Sequence, residues 1–323
     1  MITVLTGGTG GAKFVDGLRR VIPPGELTLI VNTGDDFEWW GLQISPDVDS
    51  ITYVLADLLS KERGWGVQDD TFLCLERMKK MGQPAWFQIG DRDLALHLLR
   101  TQLVKQGKTL SEATAEIAGS LEIVQTILPM SNDRVETRVE TPAGELSFQE
   151  YFVQRHYQDA VLSVRFRGAE TAEPAPGVIN AILSAEKVLL APSNPVTSIG
   201  PILAVSAIRE ALRRTPAPIA AISPIIGGAA VTGPAGALMA SCGLPVSLAG
   251  IAKAYEDFLD VLIADNRDCQ EAEELQCSGL KVRCANTIMK TEHDGTELAK
   301  AVLSAASDGR TAKAAASVAP LSV

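Results

Sequence analysis

Histidine, aromatic side chains and positive charge are all scarce in this 323-residue chain. His97, His156 and His293 lie far apart in sequence, so neither a histidine-dependent nucleophilic triad nor a two-histidine metal motif is supported. The five cysteines (Cys74, Cys242, Cys269, Cys277 and Cys284) contain no C-x-x-C pair. That argues against a zinc site or a disulfide framework, and reduced thiols in a cytoplasm are the expectation. Acidic residues outnumber basic ones by 39 to 29, for a net charge of −10. A general nucleic-acid or anionic-membrane partner is therefore not expected, and any phosphate site must rest on local devices. No apolar stretch is long enough to span a bilayer, and no basic segment precedes the first apolar run, so no signal peptide is expected.

What is present is aliphatic. Hydrophobic residues make up 46% of the chain and aromatics only 5%, which suits an α/β core. The opening, "MITVLTGGTGGAKFVDGL", is a strand (Ile2 to Thr6) that breaks into glycines, with a helix expected from about Ala12 or Lys13 to Val21. A Pro-Pro-Gly turn and a second strand, "ELTLIVNTG", complete a βαβ unit of a parallel sheet. Between about Asp47 and Gly119 four helical patterns follow: "DVDSITYVLADLL", "DDTFLCLERMKKM", "DRDLALHLLRTQL" and "TLSEATAEIAG". Strand patterns then return as "EIVQTILPM", "RVETRVET" and "GELSFQEYF", the last two joined through Ala143-Gly144. A helix over Val178 to Glu186, the strand "KVLLAPSN" and a helix from about Gly200 to Arg214 come next. The strand "PIAAISPIIGG", the helix "GPAGALMASCG" and the strand "FLDVLIADNRD" restore the α/β alternation. The reading is a Rossmann-like parallel sheet formed by residues 1–46 and 120–307, with a β-hairpin region, a helical insertion at 47–119 and a flexible tail at 308–323.

In such a sheet ligands lie beyond the carboxyl ends of the strands. Those ends carry Gly7-Gly8-Thr9-Gly10, then Asn32-Thr33-Gly34-Asp35-Asp36, then Ser193-Asn194 with Thr197-Ser198, and Ser223 with Gly227-Gly228. The glycine loop fails the dinucleotide fingerprint, because Lys13 occupies the third glycine position, and it fails the P-loop pattern as well. An NAD-dependent oxidoreductase is weakened on that ground. Lys13 in a first helical turn would oppose the helix dipole unless a phosphate is bound, whereas the glycines alone are also consistent with a plain turn. Thr197-Ser198 suit helix caps or a phosphate equally. Asp47 with Asp49, and Asp91 with Asp93, stand two apart at helix starts, as caps or as carboxylates for Mg²⁺. Arg92 between the second pair offers a fork for a phosphate or carboxylate. Trp39-Trp40 either cover a flat ring or pack in a core.

The blocks "GGTGGAKFVDGL", "VNTGDDFEWWGLQISPDVDSITYVLADL", "GWGVQDDTF", "IGDRD", "ILPMSND", "PSNPVTSIGPIL" and "SPIIGGAAVTGPAG" run in order from residue 1 to about residue 305. In them the chain resembles the 2-phospho-L-lactate transferase family, whose members build the deazaflavin coenzyme F-420. The resemblance implies a donor in which guanosine diphosphate is esterified to a three-carbon acid, lactyl or enolpyruvyl. The implied acceptor is a deazaflavin whose ribityl hydroxyl attacks the phosphorus next to the acid and releases GMP. It further implies Mg²⁺ on the diphosphate, a Rossmann-like fold with an inserted helical subdomain, and a homodimer. By matching position Asp49 falls at the deazaflavin and metal site and Arg92 at a second binding position, both being candidates for catalysis. The glycine loop with Gly8, Thr9, Gly10 and Lys13, Ser193-Asn194, and the loop from Ser223 to Gly228 fall in the nucleotide cleft. The residues agree with such chemistry on their own terms. Phosphoryl-type transfer asks for positioning and charge neutralisation more than for a protein nucleophile. A metal-held carboxylate such as Asp49 would orient a ribityl hydroxyl or take its proton. A non-catalytic nucleotide- or nucleotide-sugar-binding regulator of the same fold is the alternative. Proteins of that kind tend to lack the Asp-x-Asp and Gly-Asp-Arg-Asp blocks present here.

Overall fold

Seven short strands pair side by side, all parallel, in the computed structural model, which describes residues 1–231 and 233–307. The tail expected at 308–323 lies outside the described residues. In chain order the strands are β1 (Ile2–Thr6), β2 (Leu27–Val31), β3 (Thr126–Pro129), β4 (Lys187–Leu190), β5 (Ile219–Ile222), β6 (Val261–Asp265) and β7 (Lys281–Ala285). Strands β1, β2, β5 and β6 are buried at every residue, which explains why they read as unbroken apolar runs with no polar alternation. Their side chains still alternate between faces. Val4, Leu29 and Val31 enter one core cluster, Leu5 and Ile30 the other.

Each face is covered by helices. On the Val4 side lie α1 (Gly8–Leu18) and α2 (Pro46–Leu55), which contribute Phe14, Val15, Leu18, Val48, Ile51 and Val54. Next in the chain come α3 (Leu73–Lys80), α4 (Asp91–Lys105) and α5 (Leu110–Ser120); α4 and α5 share a smaller cluster of Leu103, Ala113 and Ile117. The Leu5 side is covered by α6 (Val178–Leu183), α7 (Gly200–Ala204), α8 (Ser206–Arg214), α9 (Ala235–Ser241), α10 (Leu248–Ala254) and α11 (Cys269–Cys277). The helix α12 (Glu292–Ser307) returns to the first face and lies across α1. A Cβ on Gly17 would come within 3.0 Å of the Gly295 backbone, so this crossing needs glycine on α1.

The strand order is β7-β6-β5-β4-β1-β2-β3. From β1 the chain winds outward through β2 to β3, then returns to the other side of β1 at β4. The crevice between the carboxyl ends of β1 and β4 is therefore the topological switch point, the place where open α/β sheets bind ligands.

Several boundaries depart from the sequence reading. Helix α1 starts at Gly8 and not near Ala12, so Lys13 sits in its second turn and the first-turn dipole argument for it lapses. The helix expected over Gly200 to Arg214 breaks at Val205, whose backbone is extended. The "GELSFQEYF" strand stops at Ser147 and continues as a π-helical turn over Glu150–Gln154. The stretch "PIAAISPIIGG" is β5 followed by a separate hairpin, Ile225–Ile226 with Ala229–Ala230. Strand Ser163–Arg167, which completes a three-stranded antiparallel sheet with Glu136–Thr141 and Gly144–Ser147, was not anticipated; nor were β7 and α12.

Candidate active site

At the switch point the glycines are spent on close packing. A Cβ on Gly7 would meet Asp47 Oδ2 at 2.5 Å and Asn32 at 3.0 Å, and one on Gly10 would meet the Pro192 carbonyl at 2.5 Å. Gly8 has a φ of 67°, a left-handed backbone that glycine adopts without strain. The loop is stitched to the end of β4 by Ser193, whose hydroxyl donates to the Gly7 carbonyl at 2.6 Å. The backbone N–H of Gly8, the first donor of α1, already has an anion: it donates to Asp47 Oδ1 at 2.6 Å. Thr9 is exposed beside it.

Asp47 thus caps the neighbouring helix and not its own. It is joined there by Asn32 at the end of β2, whose amide donates to Asp47 Oδ2 (2.9 Å), Asp35 Oδ1 (3.2 Å) and the Thr197 carbonyl (3.3 Å). Gln149 donates to the other Asp35 oxygen at 2.9 Å, and Ser45 donates to Asp36 Oδ2 at 2.6 Å. Asp36, partly exposed as a residue, keeps Oδ1 buried without a partner. Burial is the main force on these groups. It pushes the Asp35 and Asp36 carboxyls well above the usual carboxylate range, aided at Asp35 by the charges of Asp47 and Asp36 and at Asp36 by those of Asp49 and Asp47. Asp47 is pushed up to about 6, with Asn32 and Gly8 pulling the other way.

Asp49, one turn into α2, is buried and faces α4. Both of its oxygens accept from the Arg100 guanidinium, Nη1 to Oδ2 at 3.2 Å and Nη2 to Oδ1. Arg100 is itself only 1% exposed, and its Nη1 also points at the Gln43 carbonyl at 3.4 Å. His97 Nδ1 lies 3.4 Å from Arg100 Nη1. His97 Nδ1 also lies 3.6 Å from Asp49 Oδ2, and Nε2 lies 3.1 Å from Asp93 Oδ1. Tyr53, one turn after Asp49, donates its hydroxyl to that same Asp93 oxygen. The sequence reading missed Arg100, His97 and Tyr53. The signal was there: Asp93, His97 and Arg100 stand at steps of four and three on α4, on its buried face, while Leu98 is 52% exposed.

The Gly-Asp-Arg-Asp block has its own local logic. Asp70 accepts from the backbone N–H groups of Arg92 (2.7 Å) and Asp93 (3.1 Å), capping α4. Asp91, the first residue of α4, accepts from Leu73 and Cys74 and caps α3 in return. Arg92 is exposed, with Nη1 on the Gln68 carbonyl at 3.0 Å. Its head group is engaged by Gln68, and it is the next residue, Asp93, that faces Tyr53 and His97.

Other residues singled out in the sequence are placed as follows. Asn194 closes its own turn, accepting from Val196 and Thr197. Thr197 and Ser198 are buried and neither caps α7. Ser223 is occupied by Ile225 within its turn, and Gly227-Gly228, with φ values of 59° and 74°, form the two-residue turn of a hairpin anchored on Asp268. Trp39 is 6% exposed and packs with Phe37, Trp86 and Phe87, so of its two readings core packing is the one realised. Trp40 is partly exposed and donates from its ring to the Pro84 carbonyl. Lys13 is exposed. Among the described residues no three His, Cys, Asp or Glu side chains are arranged to hold a metal, no helix is long and apolar enough to cross a membrane, and the five cysteines are free.

The family model "2-phospho-L-lactate transferase CofD" matches residues 2–306. A 2-phospho-L-lactate transferase of Methanosarcina acetivorans is 42% identical over 300 residues, covering 93% of this chain and 97% of its own. That of Methanocaldococcus jannaschii is 42% identical over 308 residues, covering 94% and 97%. A crystal structure of a UPF0052-family protein from Bacillus halodurans shares the fold, with a TM-score of 0.64 at 17% identity over 94% of this chain and 98% of that one. From the β1 glycine loop to α12, the chain belongs to the 2-phospho-L-lactate transferase family.

Proposed function

We propose that this protein moves a three-carbon phospho-acid group, phospholactyl or phosphoenolpyruvyl, from a guanosine diphosphate-linked donor to the ribityl hydroxyl of a deazaflavin, releasing GMP, as a step of coenzyme F-420 formation. The observation that carries this reading is the family match over residues 2–306, at 42% identity to named transferases, on a sheet whose switch point joins the glycine loop to Asn32, Asp47, Ser193 and Thr197. The resemblance supports a homodimer acting in the cytoplasm.

In this reading Asp49 receives the acceptor hydroxyl and Arg92 holds the acceptor or its incoming phosphate. Asn32, Ser193 and the glycine loop form the donor side. The family implies Mg²⁺, and the residues suit an ion that keeps most of its positions for water and substrate. Asp36 Oδ1 is a buried oxygen with no partner, and the carboxyls around it are held against their charge by burial. Asp36 and Asp49 would hold the ion. When bound, it supplies positive charge to the diphosphate. The protein's own contribution is to fix the carboxylates, exclude water from Asp49, and present Arg92 as an exposed fork. The test is direct. The purified chain is mixed with deazaflavin and each guanylyl donor, lactyl and enolpyruvyl, and products are read by mass spectrometry. GMP with the phospho-acid ester of the deazaflavin is expected from one donor at least; no transfer from either refutes the reading.

A further inference from the structure

We propose that Arg100 is a positioning residue of the transfer reaction: with His97 and Tyr53 it sets the carboxylate of Asp49 in one plane and locks the Asp49 helix to the Arg92 helix. The proposal rests on Asp49 meeting the acceptor, as read above.

Its basis is a buried ladder between α2 and α4. Residues 49 and 53 of α2 lie one turn apart and face 93, 97 and 100 of α4. The rungs are Asp49 with Arg100 and Tyr53 with Asp93, and His97 fills the space between them. Every member is less than 8% exposed. Arg100 grips both Asp49 oxygens, and the same nitrogen that reaches Oδ2 also reaches the Gln43 carbonyl. The Gln43 N–H in turn donates to Thr101 Oγ1 at 2.8 Å, so α4 fixes both sides of the guanidinium's seat.

Stability does not account for such a device, because a buried ion pair adds little over an apolar pair of the same size. What it gives is geometry. A two-point clamp leaves the Asp49 carboxylate no rotation, and a misplacement of about 1 Å at a reacting group costs on the order of 100-fold in rate. Asp93 belongs to both systems: its side chain closes the ladder, while its backbone N–H shares the Asp70 carboxylate with that of Arg92. The two candidate acceptor contacts are thereby held in fixed relation.

The test is a double-mutant cycle in the transfer assay with the full chain, using Asp49→Asn, Arg100→Met and the double variant. Arg100→Met is expected to lower kcat on the order of 100-fold and leave KM for the guanylyl donor unchanged. Deazaflavin affinity, measured separately by fluorescence titration, should fall in both Arg100→Met and Asp49→Asn. Because Arg100 acts through Asp49, the double variant should be no slower than Asp49→Asn alone, and Arg100→Lys should recover part of the loss. Losses that multiply in the double variant, or wild-type kcat in Arg100→Met, overturn the proposal. If the methionine variant does not fold, the same cycle with Arg100→Lys decides the matter by the same criterion. A wild-type protein that binds deazaflavin but transfers from neither donor overturns the functional reading itself, and this proposal with it.

Discussion

Asp47→Asn should make the metal-free protein more stable at neutral pH, although it removes a carboxylate that accepts hydrogen bonds from Asn32 and Gly8. The ordinary value of 3.8 applies in the unfolded chain, and burial raises the folded value to about 6. A carboxyl with a raised folded pKa binds its proton more tightly in the native state. Folding therefore loses stability as pH climbs from the unfolded value to the folded one, and the whole penalty is present above about pH 6. About two pKa units at 1.36 kcal/mol each give a penalty of about 3 kcal/mol. The residue is 6% exposed, so solvent screening does not reduce it. Against this, the new amide would face the Asn32 amide donor to donor, at a loss of about 1 kcal/mol. The net expectation is a gain of about 2 kcal/mol near pH 7.5 that vanishes or reverses near about pH 4, where the native carboxyl carries its proton. Urea unfolding of both proteins at the two pH values, with chelator present, measures the difference. A variant less stable than wild type by the same amount at both pH values would falsify the account of Asp47 as a charge held against burial.

Two further outcomes follow from the packing and the exposed lysine. Gly17→Ala adds helix propensity of about 1 kcal/mol, but its methyl meets the Gly295 backbone, which has no rotamer to yield. A net loss of about 2 kcal/mol in chemical denaturation is expected; a stabilised variant would mean that α12 shifts freely on α1. Lys13→Ala should leave stability within about 0.5 kcal/mol, as an exposed substitution does, while calorimetry shows weaker binding of the guanylyl donor. Unchanged donor affinity would remove Lys13 from the cleft.

The sheet was legible because its strands are buried on both faces and so read as short apolar runs with glycine or polar ends. That alone placed β1, β2, β4, β5 and β6 and pointed to their carboxyl ends. The π-helical turn at Glu150–Gln154 was not legible, since the strand alternation of "ELSFQ" runs up to it and only the Gln149 link to Asp35 shows what the bend serves. Helix α4 was seen as a helix, but which face it buries was not read. Its leucines suggest an apolar interior, yet Asp93, His97 and Arg100 take that side because α2 offers Tyr53 and Asp49 as partners. Asp47 and Asp91 were recognised as candidate caps, and so they are, but each caps another helix. Which helix end a carboxylate reaches is decided by the tertiary fold, and residue spacing does not contain it.

The strand order also governs how the chain can be made. β1 lies inside the sheet between β2 and β4, and its β4 neighbour is far off in sequence; the N-terminal ammonium and Glu186, which close this pair at its base, are 185 residues apart. During synthesis β1 and β2 can meet early, but the other edge of β1 stays bare until more than half of the protein has left the ribosome. An apolar strand with an open edge is the sort of surface that recruits a wrong partner, and pairings of such long reach form slowly. The crevice between β1 and β4 therefore cannot exist before residue 190 has been made. A nascent chain has no switch-point site to bind anything with, and chaperone demand should concentrate in the interval before β4 emerges.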